Sequence, residues 1–503
     1  MPGLVTGAVL VGVDAVLVSV EVDLLRRLPS VAIVGLPSPS VREAAERVRS
    51  AILASGFEFP RYRVVISLAP ADLRKDGTGF DLPMALAILA ASGVVDKARA
   101  ARWCFAGELS LSGELRPVRG ALSIACAARD GQFEGCVLPA ANGAEGALVE
   151  RLDVRTSHTL RDVVDFLNGS GDLPLAAHAA PLPDPDALDL RDVQGQLEAR
   201  AALEVAAAGG HNLLFEGPPG CGKTMLAARL PGILPPLTHA EGLECTRIHS
   251  AAGLRRAESG LVTSRPFRAP HHSASAAAMV GGADLRPGEA SLAHHGVLFL
   301  DEFPEFRRDV REALRAPLED RKVVVSRVGG RVSFPASFAL VAAANPCPCG
   351  YAGHPTRACM CSPSARMRYR GQLSGPIVDR IDLRVVLSPV EPAELFASKP
   401  GECSAAVRER VLHARARQHL RNGGRTNAAV AADEVVPLAD PTEPALRHLV
   451  AHAEVAGTSA RVSRRILRVA RTVADLDGAA RVEVQHVDRA LTLRFDGEEE
   501  VVP

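Results

Sequence analysis

A glycine-rich segment, GPPGCGKT, constrains the fold of this chain more than any other feature of its sequence. It follows the short apolar run Leu213–Phe215, which predicts a buried strand, and the residues from Met225 onward are typical of a helix. A glycine-rich turn between a strand and a helix directs backbone N–H groups and the helix N-terminus toward phosphate oxygens. The spacing G-x-x-x-x-G-K-[ST] therefore predicts a phosphate-binding loop in an α/β domain.

The residues of this loop are the first candidates for a nucleotide site. The ammonium group of Lys223 is expected to reach the β- and γ-phosphates, and the hydroxyl group of Thr224 to bind Mg²⁺. Cys221 occupies a variable position of the loop and needs no special role. The predicted cofactor-binding residues of the loop are Gly217, Pro218, Pro219, Gly220, Cys221, Gly222, Lys223 and Thr224.

Two further apolar runs end in polar side chains. Val297–Leu300 predicts a buried strand and is followed by Asp301 and Glu302. Asp301 is expected to hold Mg²⁺ directly or through water, and Glu302 to polarise the attacking water. Asn345 ends another apolar run and is expected to orient that water or to sense the γ-phosphate.

Arg380, in the segment SGPIVDRIDL, is a candidate for a cation that one subunit lends to its neighbour. An arginine supplied in this way stabilises charge on the transferring phosphoryl group. The alternative is a surface salt bridge with Asp379 or Asp382, and the residues alone leave both interpretations open.

The length of 503 residues is too great for a single core, and the sequence pattern changes along the chain. Residues 1–167 predict an α/β domain, and residues 168–187, rich in Gly and Pro, predict a linker. Residues 188–390 alternate strands and helices, and residues 391–503 have helical spacing and a short acidic tail. The N-terminal strands are predicted at Ala15–Val22, Ser30–Val34 and Arg63–Leu68, and the helices at Ser40–Ala54 and Leu82–Ala91.

Charge and hydropathy restrict the possible partners. Lys+Arg and Asp+Glu both number 58, so the net charge is zero and any contact with nucleic acid must be local. The N-terminus has no basic region before its apolar residues, and no apolar run is long enough to span a bilayer. We therefore expect no signal peptide, no membrane contact and a cytoplasmic location, where thiols stay reduced.

Four cysteines are spaced as C-x-C, nine residues, C-x-C. Four thiolates at this spacing can close a tetrahedral site, and structural Zn²⁺ is preferred to reduced free thiols. A disulfide is disfavoured by the expected compartment, and a redox role by the lack of a C-x-x-C motif. His354 and the pairs His271-His272 and His294-His295 are interpreted as solvated or locally hydrogen-bonded residues. The candidate zinc ligands are Cys347, Cys349, Cys359 and Cys361.

These features, in this order, resemble the AAA+ ATPases, and specifically the YifB/ComM group of magnesium-chelatase-like proteins. The segments that carry the resemblance are DVQGQLEARAALEVAAAGGHNLLFEGPPGCGKT, RPFRAPHHSASAAAMVGG, RPGEASLAHHGVLFLDEFPEF, LRAPLED, NPCPCG, SGPIVDRIDL and SARVSRRILRVARTVADL. The resemblance implies a P-loop AAA+ α/β domain, a C-terminal helical lid domain and a hexameric ring with ATP at the subunit interfaces.

The resemblance also implies a role for individual residues. Lys223 and Thr224 fall on Walker A, and Asp301 and Glu302 fall on Walker B. The implied sensor and pocket residues are Asn345 as sensor 1, Arg380 as the arginine finger, Arg461 as sensor 2, and Val193 and Gly195 in the adenine pocket. From the residues alone, Arg461 would be taken for an ordinary arginine on a helix surface.

Two insertions mark this group. The residues between the first helix and the acidic strand correspond to a helix-2 insert, and RKVVVSRVGGRVSFPA predicts a hairpin with Gly329 and Gly330 at its turn. In a ring such a hairpin points into the pore, where Arg327 and Arg331 are expected to contact DNA phosphates. The alternative is a short solvated hairpin.

The N-terminal segments LAPADLRKDGTGFDLPMALAILAASG and AGELSLSGELRPVRGALSIACAARDGQFEGCVLP resemble the Lon-protease-like (S5-domain-2-like) fold. In that family a nucleophilic Ser stands two residues after the KDG triplet, where this chain has Gly79 after Thr78. The family's catalytic Lys falls in a segment where Leu122 is the nearest counterpart. Without nucleophile and base, protease chemistry is not expected.

The resulting expectation is an ATP-driven hexameric motor that acts on single-stranded or branched DNA. The resemblance implies a helicase that promotes branch migration during natural transformation, with recombination proteins as possible partners. The alternative is a chelatase-type ATPase that remodels a protein partner without DNA. The N-terminal domain and the cysteines weigh against this alternative, because a chelatase ATPase is expected to begin directly with the AAA+ module.

Overall fold

The computed structural model describes residues 2–179, 188–255, 259–282, 285–327, 330–373, 377–389 and 401–494. Within these residues the chain has a mixed α/β, multidomain architecture with two large sheets followed by a helical C-terminal part. Each helix in the described part of the chain is too short or too polar to cross a bilayer.

The N-terminal part is built on a seven-stranded mixed sheet. Its strands are β1 (Gly3–Val11), β2 (Asp14–Leu25), β3 (Ser30–Val34), β4 (Arg63–Ala69), β5 (Trp103–Phe105), β8 (Gly135–Pro139) and β9 (Asp153–Ser157), and a separate ribbon is formed by β6 (Glu108–Leu109) and β7 (Leu115–Arg116). The strand order is β3-β4-β2-β1-β5-β8-β9. The pairs β1–β2 and β2–β4 are antiparallel, and β5, β8 and β9 run parallel. All three N-terminal strands predicted from the sequence are confirmed.

Helices cover this sheet, and burial explains where they form. They are α1 (Pro39–Ala54), α2 (Asp81–Ala91), α3 (Lys97–Ala100), α4 (Ala121–Asp130), α5 (Gly143–Gly146) and α6 (Leu160–Asn168). Every residue of α2 from Leu82 to Ala90 is buried, as expected of a helix that is apolar on all sides. In β2 the residues Val18, Val20 and Val22 alternate with more exposed neighbours, as a strand with one core face requires. Both predicted N-terminal helices are confirmed.

Part of the predicted linker 168–187 packs against this sheet. The backbone N–H of Thr156, in β9, donates to the carbonyl oxygen of Pro174 at 2.9 Å. The chain therefore continues along the edge of the sheet after α6. Residues 180–187 of the predicted linker lie outside the described residues.

The second sheet is five-stranded and wholly parallel. Its strands are β10 (Leu213–Glu216), β11 (Phe267–Arg268), β12 (Val297–Leu300), β15 (Ala339–Ala344) and β16 (Leu383–Val386), in the order β11-β12-β15-β10-β16. Leu213 and Phe215 pack in one core and Leu214 in another, so both faces of the sheet are covered. This accounts for the nearly continuous apolar runs, which are typical of buried parallel strands.

In the described residues, one helix directly precedes β10, and the connections between the strands of this sheet contain seven further helices and a hairpin. The helices are α7 (Leu197–Gly209), α8 (Lys223–Ile233), α9 (His239–Ala252), α10 (Ala276–Val280), α11 (Glu289–Leu292), α12 (Arg308–Ala313), α13 (Arg315–Asp320) and α14 (Pro363–Gln372). The hairpin strands are β13 (Lys322–Arg327) and β14 (Gly330–Pro335), which pair antiparallel.

The C-terminal part is helical and shares a core with the second sheet. Its helices are α15 (Ser404–Arg421), α16 (Val435–Ala439), α17 (Glu443–Val455), α18 (Ala460–Leu476) and α19 (Val484–Thr492). Val411 of α15 and Ile466 of α18 belong to the same buried cluster as Phe215 of β10. The predicted boundary near residue 390 and the acidic tail, residues 495–503, lie outside the described residues.

The N-terminal part contacts the second part through α9 and the hairpin. Arg247 of α9 forms an ion pair with Asp14 at 2.5 Å. Val13, at the turn between β1 and β2, packs in the same buried cluster as Val332 and Phe334 of β14. The strands of the hairpin therefore pack against the turn between β1 and β2.

Candidate nucleotide site

Three parallel strand ends bring the predicted catalytic residues together. The register pairs Glu216 of β10 with Ala344 of β15, and Leu300 of β12 with Ala342. The residues that follow these strands therefore share one edge of the sheet, the edge at which open α/β sheets bind ligands. Lys223, Asp301, Glu302 and Asn345 all follow strands that end at this edge.

Lys223 begins helix α8 and is nearly buried, with 8% of the residue exposed. Its ammonium group donates to the carbonyl oxygens of Gly217 (2.6 Å) and Pro218 (2.9 Å) and to Oδ1 of Asn345 (3.0 Å). Burial lowers the pKa of Lys223 from its usual value. These contacts place the ammonium group inside the phosphate-binding loop, between the ends of two strands.

The conformation of the loop explains two of its glycines. Gly220 has φ +80° and Gly222 has φ +92°, in the left-handed region that favours glycine. No other atom lies within 4 Å of the position that a Cβ would take at either residue, so the requirement is one of backbone conformation. With these conformations the backbone N–H groups of the loop can point toward a phosphate bound at the N-terminus of α8.

Thr224 and Asp301 lie side by side and form the candidate Mg²⁺ site. The hydroxyl group of Thr224 donates to Oδ2 of Asp301 at 2.8 Å, and Oδ1 of Asp301 accepts from the backbone N–H of Glu302 at 2.9 Å. A hydroxyl and a carboxylate are the oxygen ligands that Mg²⁺ prefers. The residues present therefore fit a magnesium ion that also binds substrate phosphates.

Glu302 has a partner that the sequence analysis did not identify. Its backbone has φ +51°, an uncommon conformation for a non-glycine residue, and its Oε2 lies 2.9 Å from Nδ1 of His272. His272 follows β11, the neighbour of β12 in the sheet. The available signal was the pair of histidines in the helix-2 insert, which was interpreted only as hydrogen-bonding residues.

The segment predicted to line the adenine pocket contacts the phosphate-binding loop. Val193 is 3% exposed, and Gly195 has φ +61°. The next residue, Gln196, donates from Nε2 to the carbonyl oxygens of Cys221 (3.1 Å) and Ser388 (2.7 Å). The segment therefore lies beside the phosphate-binding loop, and its role in an adenine pocket stays a prediction.

Arg380 and Arg461 meet at one carboxylate that the sequence analysis did not single out. Arg380 is 6% exposed and forms an ion pair with Glu319 of α13. Nη2 of Arg461 lies 3.7 Å from the same carboxylate oxygen. Asp382, named in the alternative interpretation of Arg380, pairs instead with His211 at 3.2 Å. The two predicted phosphate-sensing arginines thus share one cluster.

The hairpin predicted from the sequence is present, and Arg331 at the start of β14 is exposed. The backbone of Arg327 pairs with Gly330, but the side chain of Arg327 lies outside the described residues, as does Gly329 at the predicted turn. The predicted contact of both arginines with DNA stays a prediction.

The four cysteines converge as a metal site would require. All four sulfur atoms lie within 4.8 Å of one another. Nε2 of His294 and Nε2 of His295 form hydrogen bonds of 2.9 and 2.8 Å with the same oxygen, Oε2 of Glu244. This agrees with the interpretation of the two histidines as locally hydrogen-bonded residues.

The N-terminal part holds no serine at the position expected of a nucleophile. Thr78 donates its hydroxyl hydrogen to Glu108, and Leu122 is buried. Lys75 is fully buried and donates to the carbonyl oxygen of Pro70. Burial lowers the pKa of Lys75. These contacts provide no serine–lysine pair among the residues that the resemblance named.

Comparison with known proteins supports one family over the whole length. Residues 189–395 match the family model "Magnesium chelatase, subunit ChlI", residues 401–494 match its C-terminal model, and residues 20–142 match "Subunit ChlI of Mg-chelatase". The chain is 44% identical to competence protein ComM of Haemophilus influenzae, over 96% of this chain and 95% of that protein. It is 42% identical to the uncharacterised protein YifB of Escherichia coli, over 96% and 95%.

A more distant match covers about half of the chain. The Holliday junction branch migration complex subunit RuvB of Mycobacterium tuberculosis is 28% identical over 48% of this chain and 55% of that protein. Full-length identity above 40% to ComM and YifB, together with the three family models, settles the family. The chain belongs to the YifB/ComM group of magnesium-chelatase-like AAA+ ATPases.

Proposed function

We propose that the chain binds ATP and Mg²⁺ at the edge of the second sheet and hydrolyses ATP in a hexameric ring. The observation that carries the proposal is the assembly of Lys223, Thr224, Asp301 and Asn345 at adjoining strand ends, with hydrogen bonds of 2.8 and 3.0 Å linking them in pairs. Each is a residue type that phosphoryl transfer needs at such a site.

In this proposal each side chain has one task. Lys223 and the loop N–H groups bind the β- and γ-phosphates, while Thr224 and Asp301 hold Mg²⁺. When bound, Mg²⁺ neutralises charge on the β- and γ-phosphate oxygens. Glu302 orients and polarises a water molecule for attack, and Asn345 positions the same water or senses the γ-phosphate.

His272 is proposed to position Glu302 for this task. Nδ1 of His272 and Oε2 of Glu302 lie 2.9 Å apart. Both side chains are partly exposed, at 35% and 52%. This close polar contact restrains the direction of the Glu302 carboxylate. His272 is thus a positioning residue that acts through Glu302.

Arg380 is proposed to act on the nucleotide of a neighbouring subunit, and Arg461 to work from the same cluster. Arg380 has a carboxylate partner, Glu319, within its own chain. Nη2 of Arg461 lies 3.7 Å from the same carboxylate oxygen, so the two arginines lie close together. Formation of the ring then completes the site.

The proposed substrate of the motor is single-stranded or branched DNA. The relatives with printed functions are a competence protein and a branch migration subunit, which favours a role in branch migration during natural transformation, with recombination proteins as partners. Arg331, exposed at the hairpin, provides a local positive charge that sixfold repetition would multiply in a pore.

Val193 and Gly195 are proposed to line the adenine pocket.

The domain boundaries are proposed as predicted: 1–167, 168–187, 188–390 and 391–503. The first is a Lon-protease-like platform without protease activity, and the last a helical lid. The chelatase-type alternative, remodelling of a protein partner, keeps one supporting observation. Because residues 20–142 match a model described as a subunit of magnesium chelatase, the N-terminal domain does not by itself separate the two functions.

ATPase turnover with and without DNA tests the proposal. The rate of ATP hydrolysis is measured alone, with single-stranded DNA and with forked DNA, and Lys223→Ala provides the blank. We expect hydrolysis in the parent, stimulation by DNA, and loss of both in the variant. Hydrolysis without any DNA binding or stimulation would favour the remodelling function, and no hydrolysis under any condition would refute both.

A further inference from the structure

The cysteine segment has the geometry of a mononuclear metal site. Sulfur–sulfur separations are 3.3 Å for Cys347 and Cys349, and 3.6 Å from each of these to Cys359. Tetrahedral coordination with Zn–S bonds of about 2.3 Å places sulfur atoms about 3.8 Å apart. The three observed separations are about 0.2 to 0.5 Å shorter than this value, and Cys361 completes the group of four.

A backbone N–H group donates to one of the sulfur atoms. The N–H of Ala352 lies 3.3 Å from Sγ of Cys347. Such a donor orients a metal ligand and offsets part of the negative charge that several thiolates bring to one site.

Hydrophobic burial does not account for the order of this segment. Between the two cysteine pairs Pro355, Thr356 and Arg357 are exposed, and Met360 is 89% exposed. A loop of this length without an apolar core needs another source of stability, which a bound metal ion provides in small modules.

The segment is also tied to the nucleotide site at both ends. A Cβ at Gly350 would lie 2.6 Å from Cδ of Pro219, so the backbone of Gly350 packs against the proline ring of the phosphate-binding loop. At the other end α14 begins two residues after the last cysteine, and its Tyr369 hydroxyl accepts from the backbone N–H of Asn345 at 3.3 Å. The loop thus connects the phosphate-binding loop, Asn345 and α14.

We propose that Cys347, Cys349, Cys359 and Cys361 bind one structural Zn²⁺ that holds this segment against the phosphate-binding loop. Four sulfur atoms around one point match one tetrahedral ion, whereas a disulfide would join only two of them. Zn²⁺ has no redox chemistry, and all four ligand positions are filled by protein, as in structural sites. The effect on the nucleotide site rests on the proposed ATPase function; the metal site itself does not.

Metal content tests the site independently of activity. Full-length protein purified without added metal is analysed by elemental mass spectrometry, beside the variant Cys359→Ser/Cys361→Ser and the matched control Cys126→Ser, a half-buried thiol outside the cluster. We expect about one zinc per chain in the parent and control, and less than about 0.2 in the double variant. Iron in place of zinc, or no metal in the parent, would overturn the proposal.

A second measurement avoids variants that fail to fold. Incubation of the intact parent with a strong zinc chelator, which is then removed by dialysis, is expected to release one zinc per chain without modifying any thiol. The same sample is tested for ATP binding before and after zinc release, and we expect affinity to fall at least about fivefold. Zinc release with unchanged affinity would refute the contact with the phosphate-binding loop. If the protein holds zinc but never binds ATP, the proposed zinc site is supported and the proposed ATPase function is refuted.

Discussion

At the scale of single residues, the orientation of the Glu302 carboxylate depends on His272. Glu302 lies just after β12 and His272 lies four residues beyond the neighbouring strand β11. Their side chains approach to 2.9 Å. His272→Ala is expected to lower kcat about tenfold, equivalent to about 1.4 kcal/mol, with little change in KM for ATP. His272→Asn, which keeps an N–H donor near Nδ1, should restore most of the rate.

The neighbouring histidine provides the control for this prediction. His271 packs on His272 with ring centroids 4.1 Å apart, but its Nδ1 bonds to Ser273. His271→Ala should therefore hydrolyse ATP at the parental rate. A His272→Ala variant with parental kcat would show that Glu302 needs no positioning partner.

The residues of the site were predictable to different degrees for a physical reason. Asp301 and Asn345 directly follow apolar runs, and Lys223 belongs to the glycine-rich motif that follows a third. The rule that parallel strand ends meet places the three residues together. His272 and Glu319 follow no strand directly, and their partners are distant in sequence. Their roles depend on tertiary contacts that no local pattern specifies.

At the scale of elements, α1 and α2 are joined by a buried ion pair. The carboxylate of Asp81 is fully buried and accepts from Nε (2.9 Å) and Nη2 (3.0 Å) of Arg47. Arg47→Met leaves that charge unpaired and is expected to cost about 3–5 kcal/mol of unfolding free energy at neutral pH. Denaturant unfolding followed by the fluorescence of Trp103, the single Trp of the chain, reports on this sheet.

The pH dependence of this loss has a defined sign. Burial raises the pKa of Asp81, although Arg47 opposes the shift. Removing Arg47 raises this pKa further, so the folded variant takes up a proton at higher pH than the unfolded chain. The loss of unfolding free energy in Arg47→Met should therefore become smaller as pH falls from 8 toward 5.

The control for this prediction is Arg102→Met, which breaks an exposed ion pair with Glu134. It should cost no more than about 1 kcal/mol of unfolding free energy.

The hairpin is the element through which DNA contact is proposed. Arg331→Glu should weaken binding of single-stranded DNA at least about tenfold and flatten its dependence on salt, because a phosphate contact releases counterions. Basal ATP hydrolysis should not change. Arg26→Glu, an exposed arginine after β2, is the control, and equal effects of both substitutions on DNA affinity would argue against the hairpin.

Elements with a strong local pattern were predicted well. The strands Ser30–Val34 and Val297–Leu300 have the same bounds in the structure as in the prediction. The edge of the first sheet was less predictable, since Pro174 belongs to a Gly- and Pro-rich stretch with no periodicity. That stretch is ordered by backbone hydrogen bonds to β9, which composition does not reveal.

At the scale of the whole molecule, the helical C-terminal part and the second sheet share one core, while the N-terminal part contacts α9 and the hairpin. Packed side chains therefore join the second sheet to both the N-terminal and the C-terminal parts. The cluster of Arg380 and Arg461 at Glu319 belongs to this same body. The central claim is that Arg380 completes the nucleotide site of an adjacent subunit.

Mixing two inactive variants tests this claim most directly. A Lys223→Ala subunit cannot bind nucleotide productively but still supplies Arg380 to its neighbour. An Arg380→Ala subunit has an intact phosphate-binding loop but supplies no arginine to its neighbour. If the site forms between subunits, random rings from an equal mixture contain complete sites with a probability of about one quarter, so ATP hydrolysis should recover to about that fraction of the parental rate. No recovery in mixed rings, or an Arg380→Ala variant as active as the parent, would contradict the claim.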